Sequence, residues 1–156
     1  IVGPQGLRER WTDLMEAMFP GSSKIERRFP VHLIEFEPLA PMELNGVVVT
    51  PFPVSHPSGA PAYALRVSSG GKVLCYTGDT EWVDALIPAA KGADLLIAEA
   101  YTAERPIRFH LDFATLQRHL PAMAPKSVLL THMSTDMLGR TLEGCRAAED
   151  GGRILV

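Results

Sequence analysis

The chain has little of several things, and each shortage narrows what it can be. It carries only two cysteines, Cys75 and Cys145, in 156 residues. Cys75 falls within a predicted core strand, so a buried, reduced thiol is the expectation, and a cytoplasmic setting suits it. Basic charge is not in excess: 15 Lys and Arg stand against 18 Asp and Glu, the formal net charge is −3 and the pI about 5.9. No global field therefore recruits nucleic acid, and the local basic group Lys24, Arg27 and Arg28 reads as a solvated loop. No apolar run approaches the ~18 residues of a membrane span. The first residues lack a basic region followed by an apolar stretch, so no signal peptide is expected. No repeat, low-complexity tract or internal linker is visible. What is present suits one domain over residues 1–156: 46% hydrophobic residues, at a length within the ~100–200 residues usual for a domain.

Pro4 is well placed to open a helix, and Leu7, Trp11, Leu14, Met15 and Met18 recur at helical spacing, which predicts an amphipathic helix over 4–19, stopped by Pro20-Gly21. Strands are predicted over 31–37, 47–54, 62–67 and 73–76, with Pro51 and Pro53 marking an edge or a bend. Thr80 is read as the cap of a helix through Ala89. An apolar strand over 93–98 ends at Glu99, Leu111 or Asp112 opens a helix, a strand covers 127–131, residues 135–148 read as helix, and 153–156 as a last strand. Four strands without an intervening helix, then strands alternating with helices, imply an α+β layered domain.

The organising stretch is Val73-Leu74-Cys75-Tyr76-Thr77-Gly78-Asp79-Thr80. It delivers a carboxylate just past the end of a buried strand, where α/β folds place ligand chemistry. His56 follows the strand at 47–54, and His132 follows the strand at 127–131. Imidazole and carboxylate suit zinc, manganese or iron. A carboxylate has two oxygens and can serve two cations, so Asp79 between His56 and His132 makes sense as a shared ligand in a two-metal site. Three ligands do not fill two such ions. His32 reads as a structural residue inside a strand, and His119 as an exposed residue on a helix flank.

In order, Pro53-Val54-Ser55-His56, Tyr76-Thr77-Gly78-Asp79-Thr80, His110-Leu111-Asp112 and Leu130-Thr131-His132-Met133-Ser134 resemble the motifs of metallo-β-lactamase-fold hydrolases. The branch containing ribonuclease Z and the cyclic phosphodiesterases of phosphonate breakdown is the most similar. The resemblance implies an αββα sandwich and two zinc ions, with manganese or iron as alternatives. It implies metal ligation by His56 and His132, bridging by Asp79, and proton transfer by His110 assisted by Asp112; Asp112 or Glu99 is expected near enough to orient the His110 ring. The reaction implied is attack of metal-bound hydroxide on an ester-type bond, a phosphodiester first among them.

Two departures qualify the resemblance. The family's His-x-His-x-Asp-His is absent, and no two of the five histidines are spaced i, i+2. The chain thus resembles the second half of such a protein, with the N-terminal metal-motif half missing, and is expected to be inactive alone. The alternative is a truncated or degenerate domain that packs against a partner, either a second copy or the missing half. The stretch between His56 and Asp79 leaves no room for a long tRNA-gripping arm, so a small-molecule ester or phosphodiester is expected as substrate in preference to tRNA.

Overall fold

The computed structural model describes residues 1–156, and its architecture follows from two tight hairpins and two helical crossovers. A short parallel pair joins β1 (Val2–Gly3) to β2 (Ile34–Glu35), separated by α1 (Leu7–Met18). The main sheet has seven strands in sequence order: β3 (Met42–Leu44), β4 (Val47–Pro53), β5 (Tyr63–Ser69), β6 (Lys72–Tyr76), β7 (Leu95–Glu99), β8 (Val128–Thr131) and β9 (Arg146–Ala147). Strands β3 to β6 pair antiparallel, and β6 to β9 pair parallel. Asn45-Gly46 and Gly70-Gly71 are two-residue loops with positive φ at both positions. That conformation matches the twist of a hairpin and favours Asn and Gly. The parallel strands instead need crossovers, supplied by α2 (Leu86–Ala90) and α3 (Phe113–Met123). The result is α+β with one large mixed sheet, as the sequence predicts.

One face of the sheet carries the core. Ala64, Cys75, Leu96, Ala98, Val128 and Leu130 pack against Leu86, Ala89 and Ala90 of α2 and Leu116 and Met123 of α3. Small residues at 64, 75 and 98 let the helices approach closely. Cys75 is fully buried, and burial pushes its thiol up to about 12, which makes it a packing residue. The register places Leu65, Val67, Leu74, Tyr76, Ile97 and Leu129 on the opposite face, where they are half-buried or, for Tyr76, exposed. Pro51 and Pro53 lie in the part of β4 beyond the end of β3, so neither interrupts a two-sided ladder.

The structure corrects the sequence reading in four places. Thr80 caps no helix; it lies buried in a loop that runs to α2, and its N–H donates to the Glu99 carboxylate. Residues 135–148 are not a helix: a single 3₁₀ turn spans Thr135–Met137, and Gly139 and Gly144 take positive φ, which ends helical propagation. Residues 153–156 form no strand. The strand at 31–37 shrinks to Ile34–Glu35, leaving His32 outside it. No helix is long and apolar enough to cross a membrane.

Candidate metal centre

Topology brings the predicted residues together. Strand β4 is antiparallel to β5 and β5 to β6, so β4 runs the same way as β6, β7 and β8. The carboxyl ends of these four strands therefore share one edge of the sheet. His56 follows β4, Asp79 follows β6, Glu99 is the last residue of β7, and His132 follows β8. Gly78 turns the chain before Asp79 with φ 62, and His132 itself holds φ 51. The left-handed region is uncommon outside glycine, although histidine enters it more readily than most residues.

The two oxygens of Asp79 face different histidines. Its Oδ1 lies 2.9 Å from His132 Nδ1, and its Oδ2 lies 4.0 Å from His56 Nε2. His110 joins them from the loop before α3: its ring centroid is 5.5 Å from that of His56 and 5.2 Å from that of His132. Tyr101 flanks the group, 4.7 Å from the His110 ring and 5.1 Å from the His132 ring.

Beneath them lies Glu99, whose side chain is 1% exposed. Its Oε1 accepts the backbone N–H groups of Thr80, at 2.6 Å, and Leu111, at 3.0 Å. Its Oε2 lies 3.0 Å from His110 Nδ1 and 3.3 Å from His132 Nδ1. An ionised carboxylate can only accept. With Glu99 ionised, His110 therefore donates from Nδ1 and keeps Nε2 free for other chemistry. Such a partner fixes both the tautomer and the orientation of an imidazole. No buried side-chain polar atom is left without a partner.

Of the residues predicted from the sequence, His56, Asp79, His110 and His132 come together. Asp112 has a different job: both of its oxygens bond to Thr115, one to the backbone N–H and one to the hydroxyl, each at 2.8 Å. It is the N-cap of α3. Its carboxylate is thereby occupied, and of the two acids expected beside the His110 ring, Asp112 or Glu99, Glu99 is the one in contact with it. The signal for Glu99 was its position at the end of an apolar strand. Nothing in the sequence pattern marked the packing of Tyr101 on two imidazoles, or the role of Thr80 as a donor to Glu99. His119 stacks on Trp82 at 3.7 Å, away from the group.

The donor set fits a metal ion. The ligand atoms of His56, Asp79 and His110 lie within 4.8 Å of one another, and so do those of Glu99, His110 and His132. Imidazole nitrogen and carboxylate oxygen bind zinc at about 2.0–2.2 Å, so atoms this close can share an ion after small shifts.

A mixed α+β sheet that gathers three histidines and two carboxylates at one edge has the donor set of a metal-binding protein. Comparison with known proteins makes this specific. Residues 1–133 match the model of the beta-lactamase superfamily domain, and the chain belongs to that superfamily. An uncharacterised protein of Mycobacterium leprae is 29% identical over 141 residues, covering 85% of this chain and 47% of the relative. The probable metallo-hydrolase YhfI of Bacillus subtilis is 35% identical over 66 residues, 42% of this chain and 26% of YhfI. Its crystal structure superposes with a TM-score of 0.66 at 24% identity, covering 85% of this chain and 51% of that one. The short form of human tRNase Z superposes with a TM-score of 0.71 at 22% identity, covering 96% and 64%. The chain thus spans about half the length of the Mycobacterium leprae protein it matches.

Proposed function

We propose that this chain carries part of the active site of a zinc-dependent phosphodiesterase, of the branch that includes ribonuclease Z and the cyclic phosphodiesterases of phosphonate breakdown. The observation that carries the reading is Asp79, which turns one oxygen to His132 and the other to His56. His56, Asp79 and His132 hold the metal, with manganese or iron able to replace zinc at such donors. Bound there, a metal would supply Lewis acidity toward a phosphoryl oxygen and toward the attacking water. Glu99 holds the His110 ring by Nδ1. The free Nε2 of His110 takes a proton from the attacking water and passes it to the leaving oxygen, which needs hydrogen-bond reach and a fixed ring. The Gly70-Gly71 connection between β5 and β6 is a two-residue hairpin with no inserted arm, which favours a small phosphodiester over tRNA.

A second reading is favoured by one observation. The half-buried apolar side chains of Leu65, Val67, Leu74, Ile97 and Leu129, with exposed Tyr76, form the sheet face opposite the helices. On this reading the chain is the C-terminal half of an αββα sandwich. It completes its site only by packing that face on an N-terminal half or on a second copy.

One set of preparations tests both readings. The zinc-loaded protein is assayed on bis(p-nitrophenyl) phosphate, p-nitrophenyl acetate and a chromogenic β-lactam, and is sedimented in parallel. Hydrolysis of the diester alone, lost on chelation and restored by zinc, is the expected result for the first reading. A self-associating or aggregating protein without turnover is the expected result for the second. Turnover of the carboxylic ester or the lactam without the diester contradicts the phosphodiester assignment.

A further inference from the structure

Two of the clustered histidines follow residues that touch a single acidic side chain, one the proposed chemistry does not use. That residue is Glu81, two positions after Asp79. Its Oε1 accepts the Ser55 hydroxyl at 2.6 Å, and its Oε2 faces the Phe109 N–H at 3.5 Å. Its own N–H donates to the Ser55 carbonyl at 3.2 Å, which makes an isolated antiparallel bridge between the two residues. Ser55 immediately precedes His56, and Phe109 immediately precedes His110.

The segment before His110 has a reason to need a tether. Phe109 holds φ 69 in a turn closed by His110 N–H to the Ile107 carbonyl at 3.0 Å. A bulky residue in the left-handed region is strained and persists only where its surroundings impose it. The guanidinium of the preceding residue, Arg108, lies over the Phe109 ring, 4.5 Å from its centroid. Neighbouring Thr80 adds to the anchoring of the His56 segment, since its hydroxyl oxygen accepts the Ser55 N–H at 3.1 Å. The Glu81 carboxylate is the group that reaches both segments.

We propose that Glu81 is a positioning residue that ties the His56 segment to the His110 segment and sets the spacing of the two imidazoles. This rests on the reading of His56 and His110 as parts of one site. It assigns Glu81 no contact with substrate or metal. A carboxylate suits the task because it has two oxygens that accept in divergent directions. Alanine reaches neither segment, and aspartate is one methylene too short to reach both.

The test is the histidine Cε1–H spectrum of the full metal-free chain at one fixed pH, read in wild type, Glu81→Ala, Glu81→Gln and Glu81→Asp. It depends on no catalytic activity, so failure of the phosphodiesterase reading leaves it interpretable. In Glu81→Ala the His56 and His110 resonances both move while His32, which is remote from the group, stays in place. In Glu81→Gln, of equal length and without the charge, the amide oxygen accepts the Phe109 N–H and the NH₂ donates to the Ser55 hydroxyl oxygen, so both tethers persist and both resonances remain close to wild type. If Glu81→Ala does not fold, Glu81→Asp replaces it, and one of the two imidazoles moves while the other does not. Where a turnover assay exists, Glu81→Ala lowers kcat about 10²-fold, the scale of an ångström-size misplacement, with KM little changed. Equal shifts in Glu81→Gln and Glu81→Ala would assign the effect to charge and overturn the proposal. So would shifts that include His32, or unmoved His56 and His110 in the folded alanine or aspartate variant.

Discussion

Replacing Glu99 by alanine is expected to cost several kcal/mol of stability as well as the order of the site. The carboxylate is buried and accepts the N–H groups of Thr80 and Leu111, which are themselves buried. Alanine leaves both without a partner and out of reach of bulk water, at about 1–3 kcal/mol for each orphaned group. Against a total of about 5–15 kcal/mol for a domain, that is a large share. Glu99→Gln separates the two effects. Its amide oxygen can still accept both backbone groups, so most of the stability remains. Its NH₂ group, however, faces His110 Nδ1 where the carboxylate accepted a hydrogen bond, so the imidazole must present a lone pair there and reverse its tautomer. Urea unfolding reads the first effect as a lower midpoint at unchanged slope. An alanine variant as stable as wild type to within about 0.5 kcal/mol, the scale of neutral surface changes, would show that Glu99 is not the keystone described.

His110→Ala carries the largest expected effect on turnover. In the complete, active enzyme kcat should fall by about 10²–10⁴, the range for loss of a general acid or base. Metal content should stay at the wild-type level, because His56, Asp79 and His132 remain. The fold should survive, since His110 lies in a loop before α3 and is partly exposed. Metal analysis on the preparations used for kinetics decides between roles. Parallel loss of zinc and activity would make His110 a ligand, a role that its closeness to His56 and Asp79 allows.

Much of the site was legible in the sequence because its logic is topological. A histidine or carboxylate just past a short apolar run is visible without a structure, and His56, Asp79 and His132 each occupy such a place. That they meet follows from four strands running in the same direction, which neither composition nor spacing reveals. Between Asp112 and Glu99 as the acid that orients His110 the sequence could not choose, because an acid at a helix start has two uses. Capping the helix through Thr115 satisfies both of its oxygens. The expected helix at Thr80 failed for a related reason: a threonine before an apolar-periodic stretch reads as a cap, yet its hydroxyl oxygen accepts the Ser55 N–H and its hydroxyl donates to the Glu81 carbonyl, so it serves no helical N–H. Strand β3 was missed although Asn45-Gly46 is a strong hairpin signal. The strand is only three residues long, too short for alternation to register. The glycines at 139 and 144 carried the information that 135–148 is not a helix, and their positive φ shows how.

The central claim is that His56, Asp79 and His132, with His110 and Glu99 behind them, form one metal-binding group. Zinc titration of the chain, followed by the five histidine Cε1–H resonances, tests it most directly and works at weak affinity as well as strong. The expected result is that zinc moves or broadens His56, His110 and His132, leaves His32 and His119 in place, and moves none of the five in Asp79→Ala at the same concentrations. Zinc that perturbs His32 or His119 first, or an Asp79→Ala variant that responds as wild type does, would contradict it.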